Sequence, residues 1–219
     1  MQRLLVATHN RHKIEEIRSI LGPGIAVVGA HSLGIALEPE ETGTTFAENA
    51  RIKALAWKQW LMASPSQDQS IDAVLADDSG LEVDALAGAP GVLSARFAAT
   101  PDQRGNSTDA DNNAKLLQVM ARVSDEKRTA RFRCVLSLLP VQTDGNESET
   151  GWFFEGHCEG RIAREPVGDG GFGYDPLFIP GGFESSLATL GQAVKNRLSH
   201  RAIALRKLCQ FLDQQKKTG

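Results

Sequence analysis

Polar residues gather where short apolar segments of the chain end, and their types suit the binding of an anion or a metal ion. The first group follows the apolar run Leu4 to Ala7 and consists of Thr8, His9, Asn10, Arg11, His12 and Lys13. A helical pattern begins within this group, and free amides at a helix N-terminus together with the Lys13 ammonium favour a bound phosphate. An ordinary polar turn between a strand and a helix is the alternative interpretation.

A second group consists of carboxylates. Asp77 and Asp78 follow Ala73 to Ala76, which we interpret as a short buried strand ending at these aspartates, and Glu38, Glu40 and Glu41 lie in an earlier loop. Ligands of open α/β sheets bind beyond the carboxyl ends of strands, and a magnesium ion takes one or two protein carboxylates. The aspartates and one glutamate therefore predict a Mg²⁺ site. An Asx turn before Gly80 and a solvated acidic loop are the alternatives.

A third group is the glycine-rich segment Gly168 to Pro176, which contains a literal G-x-G-x-x-G pattern. A dinucleotide fingerprint needs a helix directly after the glycines, whereas two prolines and a strand-like stretch follow here, so we reject that interpretation. We expect a loop of close approach in which Phe172 and Tyr174 offer stacking surfaces and Asp175 a polar contact.

The last group lies where a closing helix begins. Ser199, His200 and Arg201 open this helix, and Lys195 precedes them by about one turn. Backbone amides, a histidine and an arginine at a helix start suit a phosphate or a keto oxygen. Helix capping alone would account for Ser199 but not for the two residues after it.

The elements that must position these groups follow from apolar periodicity. We predict a strand over Arg3 to Thr8, then a helix with Ile14, Ile17 and Leu21 on its buried face and Glu16 among the residues of its other face. A capping box at Thr45 to Glu48 starts a second helix. Alternating residues predict strands over Thr129 to Leu138 and Trp152 to Ile162, joined as an antiparallel hairpin. The whole is an α/β protein with a mixed sheet.

Composition excludes several classes of function. Lys and Arg total 24 against 27 Asp and Glu, a net charge of -3, which argues against a surface that binds nucleic-acid polymers or anionic membranes. The cysteines, Cys134, Cys158 and Cys209, are odd in number and lack metal-ligand spacing, so we expect a reducing, cytoplasmic setting. We find no signal-peptide core and no membrane span.

Together the motifs resemble the inosine triphosphate pyrophosphatase family, from Leu4 to about Leu212. The resemblance is carried by Ala7-Thr8-His9-Asn10 with Lys13, Glu40-Glu41-Thr42-Gly43, Phe46 to Ala50 with Lys53, Ala76 to Leu81, Ala89-Pro90-Gly91, Ser94-Ala95-Arg96, Ala130-Arg131-Phe132, Gly170 to Pro176 and Ser199-His200-Arg201. His9 stands where many members have glycine.

The resemblance implies one domain over residues 1–219, with an elongated mixed sheet flanked by helices, two lobes with a central nucleotide cleft, and a homodimer. It implies that Thr8 to Lys13 bind the triphosphate, that Ser79 contacts the substrate, and that Asp78 is general base and metal ligand. Glu40 or Glu41 would help to hold Mg²⁺. The nucleotide would be surrounded by Phe172, Gly173, Tyr174, Asp175, Lys195, His200 and Arg201.

The expected reaction is attack of water on the α-phosphorus of ITP, dITP or XTP, with release of pyrophosphate. Asp78 or Asp77 would deprotonate the water, and Lys13 would hold the phosphates. We expect Arg201 and backbone amides near Phe172 to Asp175 to recognise the purine 6-oxo group. Two alternatives remain open: a pyrophosphatase for pyrimidine or modified nucleotides, and a nucleotide sensor without catalysis.

Overall fold

The helices and strands have the following bounds in a computed structural model, which describes residues 3–34, 36–63, 70–100, 102, 105–141 and 151–218. The strands are β1 (Arg3–Val6), β2 (Ala26–Gly29), β3 (Ala73–Val83), β4 (Thr129–Pro140), β5 (Trp152–Ile162) and β6 (Phe178–Pro180). The helices are α1 (Arg11–Leu21), α2 (Phe46–Ala63), α3 (Asp109–Val119), α4 (Leu187–Leu198) and α5 (His200–Thr218). The predicted loop Gln142 to Thr150 lies outside the described residues.

The strands form one mixed sheet in the order β2-β1-β3-β4-β5-β6. β1 pairs in parallel with both β2 and β3, and β6 pairs antiparallel with β5. The amide of Ile162 donates to Arg128 O, and Gly151 lies against Leu138 and Leu139, so β4 and β5 also run antiparallel. The predicted α/β class, mixed sheet and hairpin are therefore confirmed.

Two compact units divide the chain. The first unit contains residues 1–78, 134–156 and 201–219, and its buried clusters are built from β1, α1, the first residues of β3, the later part of β4, α2 and α5. Predicted stripe residues Ile14, Ile17 and Leu21 in α1 are buried, as are Ala202 and Leu205 in α5. Apolar periodicity therefore identified the faces that build this core.

The second unit contains residues 79–133 and 157–200. Its core joins Leu81 and Val83 of β3 to α3, to alternate residues of β4 and β5, and to the start of α4. Arg128 is buried beside this core, where its guanidinium donates to the carbonyls of Met120, Ile162 and Ala163. These bonds satisfy carbonyl groups at the ends of neighbouring elements.

β3 is longer than the sequence predicts. The strand does not end at Asp77 and Asp78 but continues to Val83, with Leu81 and Val83 fully buried. The expectation that the aspartates follow the carboxyl end of a strand is wrong. Both are strand residues, and cationic side chains compensate their charge there.

Glu16 also differs from the prediction that it belongs to the polar face of α1. It is 5% exposed, because its carboxylate pairs with the guanidinium of Arg201. Helix α4, on which Lys195 lies, was not predicted. Among the described residues, no helix is both long enough and apolar enough to cross a membrane.

Candidate functional site

The turn between β1 and α1 is held by its own side chains. The Asn10 side-chain oxygen caps α1 by accepting from the backbone amide of Lys13 at 3.1 Å. The backbone amide of Asn10 donates to Thr8 Oγ1 at 3.2 Å. His9 Nε2 lies 3.2 Å from Leu37 O, and its ring is 5.9 Å from that of Trp57. Arg11 and His12 are exposed at the first helical turn, where amides lack intrahelical acceptors. The turn thus has the form expected for binding an anion.

Lys13 points from this turn to Asp77. Its ammonium lies 2.5 Å from Asp77 Oδ1, while Asp77 Oδ2 accepts from Arg201 Nε at 2.8 Å and from the Cys134 thiol at 3.2 Å. Burial favours the neutral acid, but the charges of Arg201 and Lys13 outweigh it and hold the pKa of Asp77 well below its usual range. Both oxygens of this carboxylate are therefore engaged in hydrogen bonds to protein groups.

Arg201 is 1% exposed and bridges Asp77 and Glu16. From the sequence we expected this arginine to bind the purine base. The structure instead places its guanidinium in a buried ion cluster of the first unit, with Glu16 and Asp77. Cys134 completes the cluster, and burial together with the Asp77 charge raises the pKa of its thiol well above the usual value. Cys134 therefore stays protonated and donates its hydrogen to Asp77.

Asp78 has a different environment. Its Oδ1 accepts from Lys53 Nζ at 2.8 Å, and the same ammonium lies 3.0 Å from Glu41 Oε1. Asp78 Oδ2 is buried and has no hydrogen-bond partner among the described residues. Burial raises the pKa of Asp78, and Lys53 and Lys13 offset this only in part. An unpaired carboxylate oxygen with a raised pKa is suited to accept a proton or to bind a cation.

The structure separates the two candidate glutamates. Glu41 is partly buried and pairs with Lys53, whereas Glu40 is exposed. Lys53 was noticed in the sequence only as part of a motif, and no role followed from it, because its partners are 12 and 25 residues away. Its place on the same helix as Ala50, Ala54 and Trp57 gave no signal of an ion pair.

A magnesium ion fits the oxygens of Asp78 and Glu41. The fit rests on the buried Asp78 Oδ2, an acceptor for which the described residues provide no donor and whose bonding a cation would satisfy. Within the part of the chain that the structure describes, no three His, Cys, Asp or Glu side chains form a metal-binding group. A metal ion held by Asp78 and Glu41 would take its other ligands from water or phosphate, which is the usual preference of Mg²⁺.

The second unit contains a separate set of candidate residues around Asp175. Its carboxylate accepts from Lys195 Nζ at 2.7 Å and from the Phe172 amide at 3.0 Å, and Asp175 and Lys195 are 2% and 3% exposed. The Lys195 ammonium also lies 4.3 Å from the centroid of the Phe172 ring. The ring is half-buried, so this set offers an aromatic face beside a paired cation.

Close approach explains the glycines of this loop. A Cβ at Gly170 would meet Ala188 O, and one at Gly171, whose φ is 77°, would overlap the Asp175 carboxylate. The backbone amide of Phe172 donates to Asp175 Oδ2, and the backbone amide of Gly173 donates to Asp109 Oδ2 at 2.6 Å. These two amides therefore have partners within the loop and its neighbours, contrary to the expectation that they read a purine.

Two further candidates belong to the packing of the second unit. Tyr174 is 4% exposed and donates its hydroxyl hydrogen to Ser94 O at 2.8 Å, which makes it a core residue and not an open stacking surface. His200 stacks on Phe132, with ring centroids 4.8 Å apart and planes inclined by 14°. Ser79, the first residue of this unit, is partly exposed in β3.

Nearly the whole chain is similar to known proteins. The sequence model of the Ham1 family matches residues 4–211. A dITP/XTP pyrophosphatase of Desulforamulus reducens is 44% identical over 213 residues, covering 97% of this chain and 96% of the relative. One of Bacillus subtilis is 42% identical over 214 residues, covering 97% and 98%.

Solved structures give the same result. The Ham1 protein of Staphylococcus aureus superposes with a TM-score of 0.77 at 34% identity, over 98% of this chain and 100% of the other. A HAM1 protein from Coxiella burnetii gives a TM-score of 0.77 at 35% identity with the same coverage. The fold, the ordered motifs and the full-length matches agree, and the chain belongs to the Ham1 family.

Proposed function

We propose that the protein hydrolyses the non-standard purine nucleoside triphosphates ITP, dITP and XTP to the monophosphate and pyrophosphate. The observation that carries the proposal is the buried Asp78 Oδ2, which has no hydrogen-bond partner in the described part of the chain and lies next to the Lys53–Glu41 pair and near the Lys13 charge. The names of the relatives, dITP/XTP pyrophosphatases, supply the substrate class.

The turn before α1 would bind the triphosphate. The first amides of α1 and the Lys13 ammonium are donors that suit phosphate oxygens, and Asn10 fixes the turn by capping the helix. Asp77 would act on Lys13 through their ion pair, and would itself be held by Arg201. We therefore assign Asp77 and Arg201 to positioning, in place of the metal-binding and base-reading roles expected from the sequence.

Asp78 would be the general base. Water attacks the α-phosphorus, its proton passes to an Asp78 oxygen, and the bond from the α-phosphorus to the oxygen that bridges to the β-phosphate breaks, so that pyrophosphate leaves. A base with a raised pKa takes a proton more readily than an ordinary aspartate, which suits this role. The nearby Lys13 and Lys53 ammonium groups would favour the charge that develops on the phosphates.

Mg²⁺ is the cofactor that we assign to Asp78 and Glu41, in preference to Glu40. When bound, it would supply positive charge to phosphate oxygens in the transition state, a contribution of several kcal/mol. The preference for Glu41 rests on its place beside Lys53 and Asp78, whereas Glu40 is exposed.

The second set of residues would bind the base. The Phe172 ring offers a stacking face, and Lys195, oriented by Asp175, is a donor suited to the 6-oxo oxygen of hypoxanthine and xanthine. Adenine has an amino group at this position. Its N–H donors would face the Lys195 donor, and this unfavourable contact would lower the affinity for adenine nucleotides. His200, stacked on Phe132, would support this set by packing.

The test is pyrophosphate release from ITP, dITP, XTP, GTP and ATP, with Mg²⁺ and with a chelator. We expect fast, Mg²⁺-dependent release from the first three, and a loss of about 10²- to 10⁴-fold in kcat for Asp78→Asn. Glu41→Gln should lower activity more than its neighbour Glu40→Gln. Near-normal turnover by Asp78→Asn at saturating Mg²⁺ would overturn the assignment of the base.

The same assay separates the alternatives. Release from pyrimidine or modified nucleotides but not from ITP would indicate a different base specificity, and tight binding without release from any nucleotide would indicate a sensor. We also propose, from the family resemblance, a cytoplasmic homodimer, and light scattering of the purified protein checks its mass. The net charge of -3 argues against a nucleic-acid polymer as partner and does not exclude a small anionic ligand such as a nucleotide.

A further inference from the structure

Lys53 occupies an unusual position for a lysine on a helix. Its ammonium lies between two carboxylates of other elements, 2.8 Å from Asp78 Oδ1 and 3.0 Å from Glu41 Oε1. Its side chain is only 12% exposed. Two opposite charges at hydrogen-bond distance compensate the positive charge of this largely buried ammonium. A cation of the protein itself thus stands between the two carboxylates to which we assign the metal.

We propose that Lys53 is an internal counter-ion that holds Asp78 and Glu41 together without metal and competes with Mg²⁺ for them. The inference rests on the proposed metal site, and it adds that the free protein binds Mg²⁺ weakly by construction. An ammonium and a divalent ion neutralise the same two carboxylates, and both cannot lie close together without mutual repulsion.

The contacts of Asp78 support competition rather than passive packing. Lys53 engages only Oδ1 of Asp78, and the buried Oδ2 has no hydrogen-bond partner among the described residues. A single ammonium therefore satisfies this carboxylate incompletely. A metal ion that binds Oδ2 would gain this acceptor but would meet the positive charge held at Oδ1.

The arrangement also links the metal to the substrate. When Mg²⁺ displaces the Lys53 ammonium from the two carboxylates, the ammonium needs another anion as its partner. The phosphate oxygens of a nucleoside triphosphate are such a partner. Mg²⁺ and the phosphates would then each favour the binding of the other, a reciprocal coupling through Lys53. The protein would take up Mg²⁺ together with the nucleotide and hold little of it beforehand.

Metal binding without nucleotide tests this directly. Mg²⁺ affinity is measured by titration calorimetry, and Mn²⁺ affinity by electron paramagnetic resonance, for the wild type, Lys53→Met, Lys53→Arg and the control Lys58→Met. Lys58 lies on the same helix five residues later, about 140° around the axis from Lys53. We expect Lys53→Met to bind either ion about ten- to a hundredfold more tightly than the wild type, because the competing charge is gone.

The controls separate charge from shape. Lys53→Arg keeps the charge and should bind the ions as weakly as the wild type, and Lys58→Met should also match it. With a chelator present, Lys53→Met should melt at a lower temperature than Lys58→Met and recover on addition of Mg²⁺. If Lys53→Met is unfolded without metal, Mg²⁺ should restore its circular dichroism spectrum.

Equal affinity for Mg²⁺ in the wild type and Lys53→Met would overturn the inference, as would equally tight binding by Lys53→Arg or no recovery of Lys53→Met by metal. The proposed function is judged separately, by pyrophosphate release from the wild-type protein. A wild type that hydrolyses ITP with unchanged metal affinity in Lys53→Met would thus keep the function and remove only the role of Lys53.

Discussion

Asp77 and Asp78 are neighbours in β3 with opposite surroundings. Asp77 has Lys13, Arg201 and Cys134 on its oxygens, whereas Asp78 has Lys53 on one oxygen and no hydrogen-bond partner among the described residues on the other. The pKa of Asp77 is lowered well below 3.8 and that of Asp78 is raised above it. One carboxylate therefore stabilises the fold and the other is available for chemistry.

This contrast predicts unequal effects of the same substitution on stability at neutral pH. Asp77→Asn should cost about 3–5 kcal/mol in free energy of unfolding, because it leaves Arg201 buried with fewer partners. Asp78→Asn should cost less, because it removes a charge that burial already disfavours and leaves Lys53 paired with Glu41. Urea unfolding measures both. Equal destabilisation by the two variants would contradict the division of roles.

The pH dependence of folding stability follows from the directions of these two pKa shifts. Asp77 has a depressed folded-state pKa, so its contribution is complete above the ordinary value of 3.8 and is lost as the pH falls through the folded-state pKa. Asp78 has a raised pKa, so its contribution is complete below 3.8 and is lost as the pH rises through the raised value. The stability gap between the wild type and Asp77→Asn should accordingly narrow in acid.

At the residue scale the sequence identified candidates but not their partners. Lys13, Asp78 and Asp175 were predicted from residue type and from the resemblance. The roles of Glu16, Lys53 and Cys134 were missed, because each depends on a contact with a residue far away in the sequence. Periodicity places a side chain on a face of its element but does not say which charge that face meets.

Elements differ in how far their own residues determine them. The bounds of β5 were predicted fully and the capping box of α2 is formed, since Thr45 and Glu48 exchange hydrogen bonds with each other's amides. β3 was predicted too short because two aspartates ended its apolar pattern. α4 was missed because its backbone is interrupted at Gly191, whose φ is 77°. The local sequence pattern does not reveal ion pairs between distant residues or an interruption within a helix.

The glycine loop gives a prediction at the element scale. Gly171 and Gly173 both have positive φ, of 77° and 63°, so alanine at either costs about 1–2 kcal/mol in backbone strain. A Cβ at Gly171 would also overlap the Asp175 carboxylate, whereas one at Gly173 would meet nothing within 4 Å. Gly171→Ala should therefore displace Asp175 from Lys195 and raise the KM for ITP, and Gly173→Ala should lower stability with a smaller change in KM.

Steady-state kinetics and thermal melting of the two variants check this. The matched backbone strain makes Gly173→Ala the control, so the difference in KM between the variants reports the Asp175 contact alone. An identical KM in both variants would show that the place of Asp175 does not matter for substrate binding.

At the scale of the whole molecule, the two units contribute different candidate residues. Lys13, Asp78 and Glu41 belong to the first unit, and Phe172, Asp175 and Lys195 to the second. If these sets bind phosphates and base respectively, ligand fragments should protect them separately. Hydrogen exchange with tripolyphosphate and Mg²⁺ should slow the amides of residues 8–13 and 76–78, and inosine should slow those of residues 170–175.

A non-hydrolysable ITP analogue should protect both segments in the same experiment. Protection of residues 170–175 by tripolyphosphate alone, with none from inosine, would contradict the assignment of the base to the second unit. The amides of α3, which has no assigned ligand contact, serve as the internal reference.

The Arg201 cluster has a consequence for biosynthesis. Arg201 is translated 124 residues after Asp77 and 185 residues after Glu16, yet it is the guanidinium on which both carboxylates rely. A ribosome must therefore make the chain as far as Arg201 before the carboxylates of Glu16 and Asp77 can be buried with their charge compensated. A chain interrupted before α5 would expose this region to chaperones and proteases. Closure of the Arg201 cluster thus makes synthesis of the chain as far as α5 a condition for burying Glu16 and Asp77 with their charges compensated.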